Sequence, residues 1–151
     1  RPLLSFNVRP QMRRNFAITA GIYLSQPPHE VDLHNNFDFL GVDYSVETRT
    51  LVLRWRRAKG EWVPASAPQS LAVSFTEVSE YRFMPRDASL PFSEDDCMNA
   101  FGYWTDEDWA DGVILIEGDK EPDPQWLTAV EFMSGAVIAV QAASAEAVIA
   151  A

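Results

Sequence analysis

Cysteine is almost missing from this chain. Cys97 is the single thiol in 151 residues, so no intrachain disulfide can form and nothing points to an oxidising compartment; a cytoplasmic location is the expectation. Long apolar runs are missing as well, since the most apolar stretch, AVIAVQAASAEAVIAA, is interrupted by Gln141, Ser144 and Glu146, and a spanning helix needs about 18 or more uninterrupted apolar residues. The opening RPLLSF has neither the apolar core of a signal peptide nor a starting Met, so residues are expected before Arg1. There is no G-x-S-x-G, no P-loop and no G-x-G-x-x-G, which removes the sequence warrant for a nucleophile elbow or a phosphate cradle.

Basic residues are scarce where acids are dense. The formal charge is −10, and between Ser93 and Asp123 eleven of the 22 acids face Lys120 alone, while acids and bases balance over the rest of the chain. Nucleic-acid binding needs a basic footprint that displaces counterions from phosphates, and the overall sign here is the opposite. The one basic run, Arg54, Arg56, Arg57 and Lys59, alternates with Leu53 and Trp55 as the solvated face of a strand would. Neither a nucleic-acid nor a membrane partner is expected.

What is present is a globular composition, 47% apolar, in a chain the size of one ordinary domain, and residues 1–151 are read as a single domain. Period-two alternation dominates. Phe16, Ile18, Ala20, Ile22 and Leu24 fall on one side of a strand that Pro27 and Pro28 end. Val42, Tyr44 and Val46, then Leu51, Leu53 and Trp55, describe a hairpin turning at Glu47 to Arg49, and AKGEWVPASAPQ reads as a loop. Leu71, Val73 and Phe75 are in phase but Val78, Tyr81 and Phe83 are not, which predicts a bulge or kink near Glu77. VILIE suits a central strand, and TAVEFMS and GAVIAVQAASAEAVI flank a tight turn at Ser134 and Gly135, with helix an alternative for residues 143–150. The fold class that follows is mainly β (β-rich α+β): an antiparallel sheet of about six to eight strands, as a curved sandwich or partly closed barrel, with one or two short helices near 93–111.

The helical expectation comes from SEDDCMNAFGYWTDEDWADG. Ser93 stands three residues before Asp96 as in a capping box, Met98 and Phe101 share a helical face, and Gly102 sits where a left-handed cap would end the helix. Thr105 and Asp108 repeat the capping spacing. Asp106, Asp108 and Glu117 have the first, third and twelfth spacing of a calcium loop, but Ala110 and Asp111 break its register. HEVDLH places His29 and His34 five apart rather than the four of a zinc-protease helix, although Glu30, Asp32 and His34 would share one side of an extended segment. Cys97 lies beside Asp95 and Asp96, which raise a thiol pKa rather than lower it. No cofactor and no metal is assigned, and no catalytic residue is marked out.

The strand pairing of GVDYSVETRTLVLRW with SLAVSFTEVSEYRF, followed by VEFMSGAVIAVQAASAEAV, resembles the layout of small bacterial β-rich domains, among them immunity proteins of polymorphic toxin systems. The resemblance covers about two thirds of the chain and implies a non-enzymatic protein-binding module, an inhibitor whose acidic, aromatic-containing surface masks a basic partner. The contact residues expected are Tyr103, Trp104, Asp106, Glu107, Asp108 and Asp111. The alternative is a cytosolic enzyme or a small-ligand or metal-binding protein with a pocket in the curved sheet, and self-association through a strand edge is a further expectation.

Overall fold

The computed structural model describes residues 11–104, 116–117 and 121–151. The elements in chain order are β1 (Arg13–Arg14), β2 (Ala17–Thr19), β3 (Tyr23–Gln26), β4 (His29–Asp32), β5 (Phe37–Ser45), β6 (Thr50–Arg57), β7 (Ser70–Met84), a 3₁₀ turn (Phe92–Asp95), β8 (Met98–Trp104), β9 (Ile116–Glu117), β10 (Leu127–Phe132) and β11 (Val137–Ala150). The large sheet runs β5-β6-β7-β11-β10-β8-β9 with every neighbour antiparallel, and β1 joins β11 in parallel. It curls into a half-barrel, beside a small second sheet β2-β3-β4. The mainly β, antiparallel class read from the alternation is the class observed.

Register decides which side chains face inward, because directly opposed residues share a face. Leu51, Leu53 and Trp55 on β6 oppose Phe75, Val73 and Leu71 on β7, and all six are buried. The small sheet adds Ile18, Leu24, Val31 and the adjoining Leu33 to the same core. Trp104, Leu127, Ala129, Val137 and Ala139 form a separate cluster. Asn15 extends the hydrogen-bond ladder with a side chain: its Nδ2 donates to Ala147 O at 3.2 Å and its Oδ1 accepts from Ala147 N at 2.7 Å, as a backbone partner would.

The predicted kink at Glu77 is present. Glu77 takes a left-handed φ of 54°, and the register slips between Gln141 and Ala142, leaving Ser79 without an opposite number. The β5–β6 and β10–β11 hairpins turn where expected, the first through Arg49 (φ 54°) and the second through Gly135 (φ 86°). Residues 143–150 are strand, paired with β7 to the last residue of β11.

Three expectations need correction. The run from Phe16 to Leu24 is a hairpin rather than one strand, because Ala20 (φ 52°) and Gly21 (φ 71°) both adopt the left-handed region and turn the chain. SEDDCMNAFG is helical only in its 3₁₀ turn, which has Pro91 rather than Ser93 at its N-cap, and β8 begins at Met98. The three-residue spacing of Met98 and Phe101 has a different origin: the register slips opposite Glu131 and Phe132, so Asn99 is extra and both side chains face the core from a strand. Gly102 is accordingly a strand residue opposite Ala129, not a helix cap. The strand within VILIE, Ile116–Glu117, stands at the end of the sheet order rather than at its centre, and residues 113–115 lie outside the described residues.

Candidate functional site: an exposed aromatic strip and its acidic flank

Tyr44, Tyr81 and Phe83 form a continuous strip on the inner side of the half-barrel. Tyr44 opposes Leu51, while Tyr81 and Phe83 oppose Val140 and Ile138, so all three share the face that elsewhere carries the core. Tyr81 and Phe83 are exposed there and Tyr44 is half-buried, because β6 pairs only with Ser70 to Phe75 of β7; beyond the bulge at Ser79 no strand among the described residues covers that flank. Tyr44 and Tyr81 pack at 4.4 Å between ring centroids and Tyr81 and Phe83 at 5.4 Å, yet Tyr81 and Phe83 keep 39% and 47% of their surface in water. Large aromatic rings left out at this level, next to one another, are what a contact surface requires and what an isolated monomer ordinarily avoids.

The strip continues into an apolar cleft of about 280 Å³ walled by Phe39, Val42, Phe83, Phe132 and Ile138. Arg86 and Asp95 close one end of it. The Arg86 Nε donates to both carboxylate oxygens of Asp95, at 2.9 and 3.1 Å, and its Nη2 donates to the carbonyls of Leu90 and Pro91 at 2.9 and 3.0 Å. The guanidinium also lies over the Phe92 ring at 4.6 Å. One arginine thus holds the whole 86–95 loop against the sheet. The Arg86 hydrogen bond, followed by that of Ser134, keeps the Asp95 carboxyl below its ordinary pKa.

Behind that loop the charge is less well matched. Partial burial pushes the Asp96 carboxyl up, reinforced by Asp38 and Glu94, with Arg56 acting the other way. The Asp96 carbonyl meanwhile accepts from Phe39 N at 2.8 Å, tying the acidic turn to the edge of β5. The Cys97 thiol is raised by burial and then by Asp96, Glu94 and Asp38, in line with the sequence expectation. Its nearest ring nitrogen, His34 Nδ1 at 3.9 Å, has its proton committed to Met98 O at 2.5 Å. A thiol with a raised pKa and no free base beside it is a poor nucleophile.

The residues expected to make the contact are distributed differently. Tyr103 and Trp104 are adjacent on β8, only 3% and 1% exposed, Tyr103 in the main core and Trp104 in the second cluster. Neither ring is available as a surface anchor, because a central strand with covered faces buries successive residues on both sides. Asp106, Glu107, Asp108 and Asp111 lie outside the described residues, as do two of the three calcium-spaced acids. In HEVDLH, Asp32 is used locally: its Oδ1 accepts from His34 N and Asn35 N at 3.1 and 2.9 Å, and its Oδ2 from Asn35 Nδ2 at 2.8 Å. Among the described residues no group of His, Cys, Asp and Glu is arranged to hold a metal, and no helix is long and apolar enough to cross a membrane.

The alternation puts Tyr44 in phase with Val42 and Val46, and the extra residue predicted near Glu77 restores the facing of Tyr81 and Phe83; the exposure of those two follows from where β6 stops. In comparisons with known proteins, no family model matches the chain, and no curated protein or solved structure matches it.

Proposed function

We propose that this protein is a non-enzymatic protein-binding module that captures a basic partner, in the manner of an immunity-type inhibitor. The observation that carries the reading is the aromatic strip in which exposed Tyr81 and Phe83 pack beside half-buried Tyr44, on the sheet face that elsewhere carries the core. Aromatic anchors supply most of the binding energy at protein interfaces, and charge supplies encounter rate and partner choice. The acid surplus between Ser93 and Asp123 provides the charge, and Asp95 within it, with Glu94 and Asp96 as its chain neighbours, lines the apolar cleft that extends the strip. Asp106, Glu107, Asp108 and Asp111 belong to the same surplus and act in this reading as steering charges rather than as anchors.

Affinity capture from lysate of the source organism, at low and moderate salt, tests it. The bait is wild type, a Tyr81→Ser/Phe83→Ser variant, and an Asp106→Asn/Glu107→Gln/Asp108→Asn variant. The reading predicts a basic protein held by wild type, lost with the aromatic variant and weakened with the charge variant. Capture that neither variant alters would refute it.

A further inference from the structure

Among the described residues, Arg14 is a half-buried cation without a close counter-charge. Its Nη2 donates to Thr128 Oγ1 at 2.9 Å, and its guanidinium carbon lies 5.1 Å from the centroid of the Tyr103 ring. Its Nε is buried with no hydrogen-bond partner among the described residues. Among the described residues no carboxylate comes within ion-pair distance, and Glu121 acts on it only through space. Burial draws the guanidinium pKa below its ordinary value, the direction expected of a cation stripped of water. Proteins seldom bury such a group unless something pairs with it.

Beside Arg14 the structure has room for the missing charge. A cleft of about 360 Å³ is walled by Met12, Phe16, Ile18 and Tyr103, with Arg14 and Glu121 as its charged lining groups. We propose that this cleft binds a small organic monocarboxylate with an aromatic or apolar body, the carboxylate pairing with Arg14 and the body lying between Ala17 and Pro122 over the buried Phe16, Ile18 and Tyr103. A pocket of a few hundred Å³ with apolar walls and one placed charge has the form of small-molecule sites generally. With Nε enclosed and Nη2 already donating to Thr128 Oγ1, the donor capacity left on the guanidinium suits a single carboxylate. Glu121 opposes any anion in the cleft, and a doubly charged one more strongly, so phosphates and dicarboxylates are poorer occupants than a monocarboxylate. This site is separate from the aromatic strip and does not depend on the basic partner.

Phenylacetate and its neutral isostere phenylacetamide test the proposal by ligand-observed NMR and by the shift in melting temperature. For wild type, phenylacetate is expected to bind saturably, about tenfold or more tighter than the amide, and to raise the melting temperature. Arg14→Met should abolish the preference for the acid. Ala17→Phe, which fills the cleft from an exposed position on β2, should weaken both ligands while leaving Arg14 in place. Equal affinity of wild type for acid and amide, no binding of either, or an acid preference that survives Arg14→Met would overturn it. Should Arg14→Met fail to fold, the wild-type contrast and Ala17→Phe decide.

Discussion

Two neighbouring aspartates, Asp95 and Asp96, respond to acid in opposite directions, and the reason is what each one touches. Asp95 is held below its ordinary pKa by Arg86 and Ser134, so its contribution to stability is complete above the usual carboxylate range and is lost as pH falls through the depressed value. Asp96 is raised by burial and by Asp38 and Glu94, so ionising it opposes folding once pH rises above the range where the unfolded chain titrates. Asp96→Asn is therefore predicted to raise the melting temperature at pH 7, with the gain vanishing in acid where Asp96 is protonated in both states. The same substitution removes the first of the carboxylates that raise the Cys97 thiol. Its reaction with a disulfide reagent should then begin at lower pH than in wild type, which a rate profile measures. Arg86→Met should remove the leading cause of the depression at Asp95, leaving that of Ser134, and release the 86–95 loop, read out as weaker acid dependence of stability and faster amide exchange at Leu90 and Glu94.

At the scale of elements, the turns and bulges carry the fold's information. Gly135 is in the left-handed region at φ 86°, and a Cβ there would meet nothing closer than Asp87 N at 3.8 Å. Gly135→Ala should then cost only the backbone term, roughly 1–2 kcal/mol, measurable by urea denaturation with an unchanged slope. The open part of the large sheet is predicted to be less sensitive than the core: Tyr81→Ser/Phe83→Ser should cost roughly 2–3 kcal/mol for the two together, since rings 39% and 47% exposed give up only about half the burial of a core aromatic. Phe75→Ala, a fully buried side chain on the same strand, should cost about 3–5 kcal/mol. Strand positions and hairpin turns were legible in the sequence because alternation and turn residues are local. The β8 assignment was not, because an extra residue in a strand and a turn of helix produce the same three-residue spacing, and only the partner strand β10 distinguishes Asn99 as the extra residue. The hairpin at Ala20–Gly21 was hidden for a similar reason, since Phe16, Ile18 and Leu24 are buried whether or not the chain turns between them. The aromatic strip was visible as residues and not as a surface, because its exposure is set by where β6 ends and not by anything in SEYRF. Arg14 had no local signal: its burial is created by β8 and β10, more than eighty residues away in the chain.

For the whole molecule, the account joins an uneven charge to an incomplete barrel. The −10 net charge resides in the segment from Ser93 to Asp123, while β5 ends the sheet and leaves Tyr44 and its neighbours on β7 partly uncovered. Like charge on two copies opposes self-association at low salt, so scattering over a concentration series should show a monomer there even though β5 is an edge strand. A cationic partner is drawn by the same field and meets the aromatic strip on arrival. The most direct measurement is the affinity for the captured basic partner as a function of ionic strength, for wild type and for Tyr81→Ser/Phe83→Ser. The account predicts that wild-type affinity falls steeply with salt through the association rate, and that the aromatic variant keeps this salt dependence while dissociating at least tenfold faster, about 1.4 kcal/mol. An affinity indifferent to salt, or an aromatic variant that dissociates as slowly as wild type, would contradict it.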